Sequence, residues 1–245
     1  MAKKVNNQVK NGNYHSYYKF REDEVRSQSL ENGLLSLWTK VQKEFTDDES
    51  VTMHMLDIGC NEGYFTNEVH RILQKVTRRT CRTIGIDIDD VLCDRARINY
   101  AAIEFITGDV LEIAKSRGTK DVIEEHMQKL DIIKFDVVCC FSVLMYIHLN
   151  GGDEGLRAVL DYLCSKGKLL ILELQSWKKY RDQARRLKRD GDESYPLFDG
   201  LEWKGGEGKL EGFIKNYIKE KGFDLLLESS EKNKFDRQLL YFKAR

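Results

Sequence analysis

The sequence predicts an α/β protein with a seven-stranded, mostly parallel sheet that is covered by helices on both faces. Short β-rich runs alternate along the chain with segments of helical periodicity, which is the order that a doubly wound parallel sheet requires. Four of the predicted strands are almost continuously apolar, as expected for strands buried on both faces. A polar segment without a helix pattern separates the last two strands, which predicts a C-terminal antiparallel hairpin.

The elements follow one another without a visible domain boundary, so one domain over residues 1–245 is expected. The predicted strands lie at residues 51–58, 82–87, 103–107, 135–141, 168–174, 223–228 and 239–243. The predicted helices lie at residues 34–45, 65–76, 91–99, 154–164, 177–189 and 210–221. Asp153 is placed to cap the helix at 154–164. Two charged segments, 74–82 and 114–134, are expected to be surface elaborations.

Composition excludes several classes of protein. The chain has 40 Lys+Arg against 40 Asp+Glu, so its zero net charge gives no overall attraction to nucleic acid. The longest apolar stretch, 137–147, is too short to cross a membrane, and the first 13 residues lack the apolar core of a signal peptide. The six cysteines form no C-x-x-C pair and are expected to be reduced, buried thiols of an intracellular protein.

Carboxylates follow three successive strands, at the sheet edge where α/β proteins bind ligands. The first strand leads into Asp57-x-Gly59-x-x-x-Gly63, where glycines allow a tight turn and the carboxylate suits an amino-bearing, cationic ligand. Asp87, after the second strand, could bind ribose hydroxyls, and Asp109, after the third, could bind an adenine edge. A carboxylate at the end of each of three successive strands is more than helix capping alone would explain. They predict the S-adenosylmethionine site of a Rossmann-like class I methyltransferase, without a metal and with S-adenosylhomocysteine as product.

The chain contains one proline, Pro196, which lies far from the fourth strand, and this disfavours one class of reaction. Enzymes of this fold that methylate the amino groups of bases use an Asn/Asp-Pro-Pro-aromatic loop after the fourth strand. Residues 140–148 follow that strand here and contain no proline, which disfavours base N-methylation.

Four further segments carry a more specific likeness: residues 12–21, 57–63, 147–156 and 173–177. Together they resemble the Bicoid-interacting RNA 5′-phosphate methyltransferases, from about residue 12 to the last strand. The most specific is His-Leu-Asn-Gly-Gly-Asp-Glu-Gly-Leu, which begins at residue 148. Residues 177–189 and 235–240 are similar to the branch that acts on RNA 5′-monophosphates, including precursor microRNA and histidine tRNA. Where the family has prolines at 174 and 176, this chain has Leu174 and Ser176, which affects the rigidity of that loop.

The resemblance implies which residues form the site, with residues 1–30 as a segment that helps to form it. The implied cofactor contacts are Tyr18, Arg26, Asp57, Gly59, Asn61, Asp87, Asp109, Val110, Leu144 and Met145. Arg26 could bind the methionine carboxylate bidentately, or be a surface cation on an N-terminal helix. Asp89 competes with Asp87 for the ribose, but its position before the helix at 91–99 is typical of a cap.

The residues expected around the acceptor phosphate are Tyr17, Arg21, His148 and Lys178. His148 has an equally plain alternative, which is to hold its own loop by hydrogen bonds. A phosphate monoester has a second pKa of about 6 and is largely dianionic at neutral pH. Catalysis should therefore need positioning beside the S-methyl cation rather than a general base.

The predicted helix at 177–189 is strongly basic and is the candidate RNA-binding element. Trp177, Tyr180, Ala184 and Leu187 form an apolar face, and Lys178, Arg181, Arg185 and Lys188 form a cationic one. Such a run is usually a solvated face, but this one follows the fifth strand at the catalytic edge. We therefore expect Trp177, Arg181 and Arg185 to contact RNA. A second basic cluster, at 71–82, is expected to be solvated surface.

The leading hypothesis is an S-adenosylmethionine-dependent O-methyltransferase of RNA 5′-monophosphate ends, expected to be a monomer in the cytoplasm or the nucleus and independent of membranes. One alternative is methylphosphate capping of a 5′-triphosphate on a small nuclear RNA, which should require more cations. A second is a non-catalytic RNA-binding scaffold that retains the fold. A small-molecule methyltransferase would fit the cofactor motif but would leave the basic helix unexplained.

Overall fold

The computed structural model describes residues 7–17, 24–45, 51–116, 121–189, 194–206, 208–229 and 237–245. Within these ranges, seven strands form one sheet, and every strand lies where the sequence predicts it. The strands are β1 Met53–Ile58, β2 Cys81–Asp87, β3 Glu104–Thr107, β4 Phe135–Phe141, β5 Gly167–Glu173, β6 Phe223–Glu228 and β7 Leu239–Ala244. Their order is β3-β2-β1-β4-β5-β7-β6. Strands β1 to β5 are parallel, and β7 runs antiparallel between β5 and β6, which confirms the C-terminal hairpin.

Nine helices lie in the described ranges and cover both faces of the sheet. They are α1 Asn7–Asn11, α2 Glu24–Phe45, α3 Tyr64–Thr77, α4 Asp90–Asn99, α5 Val110–Lys115, α6 Val122–Leu130, α7 Leu144–Lys166, α8 Trp177–Arg189 and α9 Lys209–Glu220. Helix α7 starts ten residues before its predicted position, and a non-helical Gly152 divides it, with φ 67° and ψ −172°. The short helices α1, α5 and α6 were missing from the sequence prediction.

Both segments expected to be surface elaborations contribute buried side chains to the described part of the fold. Residues 114–134 contain α6, whose side chains Ile123 and Met127 are buried in the larger core cluster. Residues 74–82 hold the end of α3 and the start of β2. Arg79, in the cluster expected to be solvated, is buried with its guanidinium 5.3 Å from the Trp38 ring centroid. The aromatic ring compensates a desolvated cation there, and a count of charges cannot reveal that contact.

Apolar side chains pack on both faces of the sheet. Helices α2 and α3 cover one face, and α5 to α9 cover the other. All six cysteines are buried and unbridged, as predicted. None of the helices in the described ranges is both long and apolar enough to cross a bilayer. The packing leaves the carboxyl ends of β1, β2 and β4 at one edge, beside the N-terminal segment.

Candidate active site

A cavity of about 390 Å³ opens at the carboxyl ends of the parallel strands. Strand order reverses there between β1 and β4, which is where open α/β sheets bind ligands. The turn after β1, the tips of β2 and β3, the start of α7, one face of α8 and the N-terminal segment all contribute to its lining. Predicted site residues in the lining are Tyr17, Arg26, Asp57, Gly59, Asn61, Asp87, Asp109 and Val110.

The turn after β1 contains three residues in the left-handed region, Gly59, Asn61 and Gly63. Gly59 has a φ of 77°, and a Cβ there would stand 2.2 Å from Cγ2 of Val143, so only glycine fits. Asn61 has a φ of 52°. Its backbone N–H donates to Oδ2 of Asp87 over 2.8 Å, which ties the turn to the tip of β2. The two sequence motifs therefore form one structural unit.

Asp57 is a buried carboxyl at the floor of this unit. Thr66 Oγ1 donates to its Oδ2 atom over 2.6 Å, while Oδ1 has no hydrogen-bond partner among the described residues. Burial raises the pKa of Asp57 to about 7, against the opposing effects of the Thr66 hydrogen bond and the nearby Arg26 charge. A buried acceptor of this kind is suited to a cationic amine, which would stabilise its ionised form.

Asp109, and Asp89 as the competitor of Asp87, both act as helix caps. Asp109 caps α5 by accepting from the Leu111 N–H over 2.8 Å, although it still lines the cavity with Val110. Asp89 caps α4 by accepting from the Leu92 N–H, which confirms the cap assignment. Its carboxylate is outside the lining, so the choice of Asp87 over Asp89 agrees with the geometry.

Leu144 and Met145 do not reach the cavity, which corrects their placement near the sulfonium. Both are buried in the core beneath the sheet edge. The lining is formed instead by Val143 and Tyr146, the residues on either side of them. Helix α7 begins at Leu144, so its first turn directs these two side chains into the core.

Arg26 belongs to a buried charge cluster that the sequence did not reveal. Its Nε and Nη2 atoms lie 3.2 and 3.3 Å from the two carboxylate oxygens of Glu173, at the end of β5. Its guanidinium also stacks over the rings of Phe65 and Phe141, with centroids at 3.8 and 4.8 Å. Arg237 Nη1 lies 3.6 Å from the same carboxylate. Arg26 is therefore a buried cation in the lining, and the surface alternative is wrong.

The N-terminal segment, residues 9–17, lies across the cavity and is anchored at several points. A Cβ on Gly12 would overlap the Tyr146 ring at 2.3 Å, so the backbone crosses α7 at close range. His15 and Asn13 both contact Oδ2 of Asp89, at 2.9 and 2.5 Å. Tyr17 lines the cavity as predicted. The predicted residues Tyr18 and Arg21 lie outside the described residues.

His148 is buried away from the cavity, which favours the loop-holding alternative over a place beside the phosphate. Its ring is fully buried and lies outside the lining, with Nδ1 3.3 Å from the Tyr180 hydroxyl and Nε2 3.0 Å from Asp153 Oδ1. Burial lowers the pKa of His148, so the ring stays neutral. Asp153 accepts further hydrogen bonds from the N–H groups of Glu202 and Trp203. Its carboxylate thus joins α7 to a following loop, where a helix cap had been predicted.

Helix α8 has the predicted bounds, but a different residue faces the cavity. Lys178, expected near the phosphate, is exposed and outside the lining, whereas Lys179 and Arg186 are in it. Trp177 stacks on Phe198 with centroids 5.3 Å apart, so packing occupies one face of its ring. Arg181 and Arg185, the other predicted RNA contacts, are exposed on the outer side of the helix.

The lining fits S-adenosylmethionine on the evidence of its own donors and acceptors. The unpartnered Oδ1 of Asp57 can accept from an amino group, and Gly59 lines the cavity beside it. Asp87 accepts two backbone N–H groups, and each carboxylate oxygen can accept more than one hydrogen bond. It can therefore also take ribose hydroxyls.

Comparison with known proteins agrees with the class that this fold and cavity define. A family model described as a methyltransferase domain matches residues 56–169. The bifunctional kinase-methyltransferase WbdD superposes with a TM-score of 0.54 and 15% identity, over 91% of this chain and 40% of that one. The N-methyltransferase NodS from Bradyrhizobium japonicum WM9 superposes with a TM-score of 0.50 and 15% identity, over 91% of this chain and 99% of that one. The fold is that of a Rossmann-like methyltransferase.

A second family model, Bicoid-interacting protein 3 (Bin3), matches residues 135–244. A Xenopus laevis protein named pre-miRNA 5′-monophosphate methyltransferase is 31% identical, over 95% of this chain and 91% of its own length. The RNA 5′-monophosphate methyltransferase of Mus musculus is 32% identical, over 78% of this chain and 68% of its own length. That of Homo sapiens is 29% identical, over 96% of this chain and 80% of its own length. The chain belongs to the Bin3 family of methyltransferases.

Proposed function

We propose that the protein transfers a methyl group from S-adenosylmethionine to the 5′-monophosphate of RNA. The observation that carries the proposal is that a single cavity holds two carboxylates, Asp57 and Asp87, together with two cations of α8, Lys179 and Arg186. The carboxylates suit a cationic, ribose-bearing donor, and the cations suit a phosphate acceptor. The names of the relatives support this substrate class.

On the donor side, the chain provides a preformed binding surface. When bound, S-adenosylmethionine supplies an electrophilic methyl group on a positively charged sulfur. Asp57 would accept from its amino group, Asp87 would bind its ribose, and Val110 would lie against the adenine. Arg26, fixed by Glu173 and two aromatic rings, is placed to meet a carboxylate.

On the acceptor side, the chain has to position a nucleophile that is already active. The second pKa of a phosphate monoester is about 6, so at neutral pH no proton has to be removed before methylation. No general base is needed, and the buried His148 lies outside the cavity lining. Catalysis would rest on alignment and on electrostatic balance around the phosphate.

The outer side of α8 is suited to the RNA chain beyond its 5′ end. Arg181 and Arg185 are exposed there and continue the basic surface of the helix away from the cavity. Each phosphate contact adds roughly 0.7 to the slope of log affinity against log salt concentration for a single strand. Replacing both arginines with glutamine should lower that slope by about 1.4. An unchanged slope would exclude this surface as an RNA contact.

The direct test compares one RNA sequence with a 5′-hydroxyl, a 5′-monophosphate or a 5′-triphosphate end. We expect labelled methyl groups to enter the monophosphorylated RNA alone. The Gly59→Val variant serves as a negative control, because its side chain would collide with Val143 and close the donor side. Preference for the triphosphorylated RNA would mean that the acceptor is a 5′-triphosphate, the alternative given above. Methylation of the hydroxyl form would exclude a phosphate acceptor.

A further inference from the structure

One face of α8 lies along the cavity and carries two cations that the sequence pattern did not single out. Lys179, Gln183 and Arg186 are spaced i, i+4 and i+7, so they share one side of the helix. Lys179 and Arg186 line the cavity, and Gln183 is buried between them. We propose that Lys179 and Arg186 bind the terminal phosphate of the acceptor and that Gln183 holds this face in position. This assignment rests on the function proposed above and deepens it.

The other two arginines of the lining share one carboxylate. Arg26 and Arg237 both contact Glu173, which is fully buried at the end of β5. By contrast, no carboxylate pairs with Lys179 in the part of the chain that the structure describes. Lys179 therefore brings into the cavity a positive charge that no carboxylate of the described residues pairs with, and a phosphate dianion would be drawn to it.

The two cations differ in how they are held. The Arg186 guanidinium lies 4.9 Å from the ring centroid of Tyr14, and this cation–π contact favours one orientation of its side chain. Lys179 is a single charge on a flexible stem, which can adjust to the bound phosphate. The carbonyl of Tyr14 accepts from Nδ2 of Asn61 over 3.4 Å. A chain of contacts therefore connects the phosphate side of the cavity to the turn on the donor side.

Gln183 connects the same face to the N-terminal segment. Its Nε2 atom donates to the carbonyl of Val9 over 2.6 Å and lies 3.2 Å from the Tyr195 hydroxyl. Tyr195 in turn donates to the carbonyl of Lys10 over 2.8 Å. These contacts fix the rotation of α8 about its own axis. Gln183 is thus a positioning residue and need not touch the phosphate.

The proposal has a consequence for pH dependence that a purely structural role of Lys179 would not have. A cation beside the phosphate favours its dianion and lowers its second pKa below the usual value of about 6. The other charged groups of the lining are Arg26, Asp57, Asp87, Asp109, Arg186 and Arg237. In Lys179→Gln, the acid limb of the plot of kcat against pH should move to higher pH. In Lys179→Arg, which keeps the positive charge, the acid limb should lie at the wild-type position.

The experiment measures binding and turnover with a short RNA, such as a trinucleotide, which limits contacts with the outer side of α8. Calorimetry compares its 5′-monophosphate and 5′-hydroxyl forms. Lys179→Gln and Arg186→Gln should each weaken binding of the phosphorylated form, and lower its kcat/KM, by about 10- to 100-fold. Binding of the hydroxyl form and of S-adenosylmethionine should not change. Lys129→Gln, an exposed lysine on α6, is the matched control for the loss of one charge.

The outcomes separate this assignment from the proposed function itself. If the wild-type protein methylates 5′-phosphorylated RNA but Lys178→Gln loses more activity than Lys179→Gln, the phosphate lies elsewhere and the assignment is wrong. Equal losses in the phosphorylated and hydroxyl forms would overturn it as well. If the wild-type protein methylates no 5′-phosphorylated RNA, the proposed function fails, whereas discrimination by binding alone would still support a phosphate site on α8.

Discussion

The buried carboxyl of Asp57 is the residue whose protonation state is most sensitive to its surroundings. Its pKa of about 7 arises chiefly from burial. The folded protein therefore keeps a proton that the unfolded chain releases near pH 4, so the free energy of unfolding falls as pH rises between these values. The slope is at most about 1.4 kcal/mol per pH unit. A bound cationic amine would reverse this effect by favouring the carboxylate.

Asp57→Asn should remove this pH dependence, because the amide cannot ionise. The free energy of unfolding is measured in urea without cofactor at pH 4.5 and at pH 7.5. The difference between the variant and the wild type should shift in favour of the variant at the higher pH. Asp94→Asn, which replaces an exposed carboxyl, is the control and should show no such gain. If the difference in free energy of unfolding between the variant and the wild type is the same at both pH values, Asp57 is ionised in the folded protein across this range.

His148→Ala is predicted to act on stability before it acts on catalysis. The substitution leaves the Tyr180 hydroxyl and the Asp153 carboxylate without their buried partner. We expect a loss of about 2–4 kcal/mol in the free energy of unfolding, measured in urea. Tyr180→Phe, which removes one hydroxyl, should cost only about 1 kcal/mol. A His148→Ala variant of wild-type stability that loses kcat would restore the catalytic assignment.

At the scale of single elements, α6 shows the difference between a charged sequence and a surface location. Ile123 and Met127 are four residues apart and both are buried, while the charged residues around them face outward. The core stripe of a three-turn helix consists of very few residues, so a charged stretch can conceal it. Asp121 caps the helix by accepting from the N–H groups of Ile123 and Glu124.

Two isoleucines of this segment test its place in the core. Ile123 is fully buried, whereas Ile133, just beyond the helix, is 91% exposed. Ile123→Ala should lower the free energy of unfolding by about 2–5 kcal/mol. Ile133→Ala should change it by less than about 0.5 kcal/mol. Thermal or urea unfolding of the two variants measures the difference. If both variants lose a similar amount of stability, Ile123 is not a core residue and the prediction is wrong.

The seven strands could be predicted because periodicity and apolar runs are local properties of the sequence. Gly59 and Asp87, which the strand-end motifs indicate, and Asn61, which the family resemblance implies, all lie in the lining of one cavity. The contact between Arg26 and Glu173 could not be predicted, since 147 positions separate them. Lys179 was missed in favour of Lys178 because neighbouring residues on a helix point in different directions. Only the docking of α8 through its buried side chains decides which of the two enters the cavity.

At the scale of the whole molecule, the balance of 40 cations and 40 acids is the sum of unlike regions. Carboxylates gather at the tips of β1 and β2, and cations gather on α8. The N-terminal segment touches both, through Asn61 and Arg186. A neutral chain thereby forms a cavity that suits a cationic methyl donor and an anionic acceptor side by side.

The central claim is that the acceptor is a 5′-phosphate of RNA. The most direct measurement incubates the protein with labelled S-adenosylmethionine and total cellular RNA, before and after phosphatase treatment. We predict that phosphatase pretreatment abolishes labelling and that rephosphorylation of the 5′ ends with a polynucleotide kinase restores it. Labelling that is insensitive to the phosphatase would contradict the claim, because the methyl group would then reside on a base or a ribose.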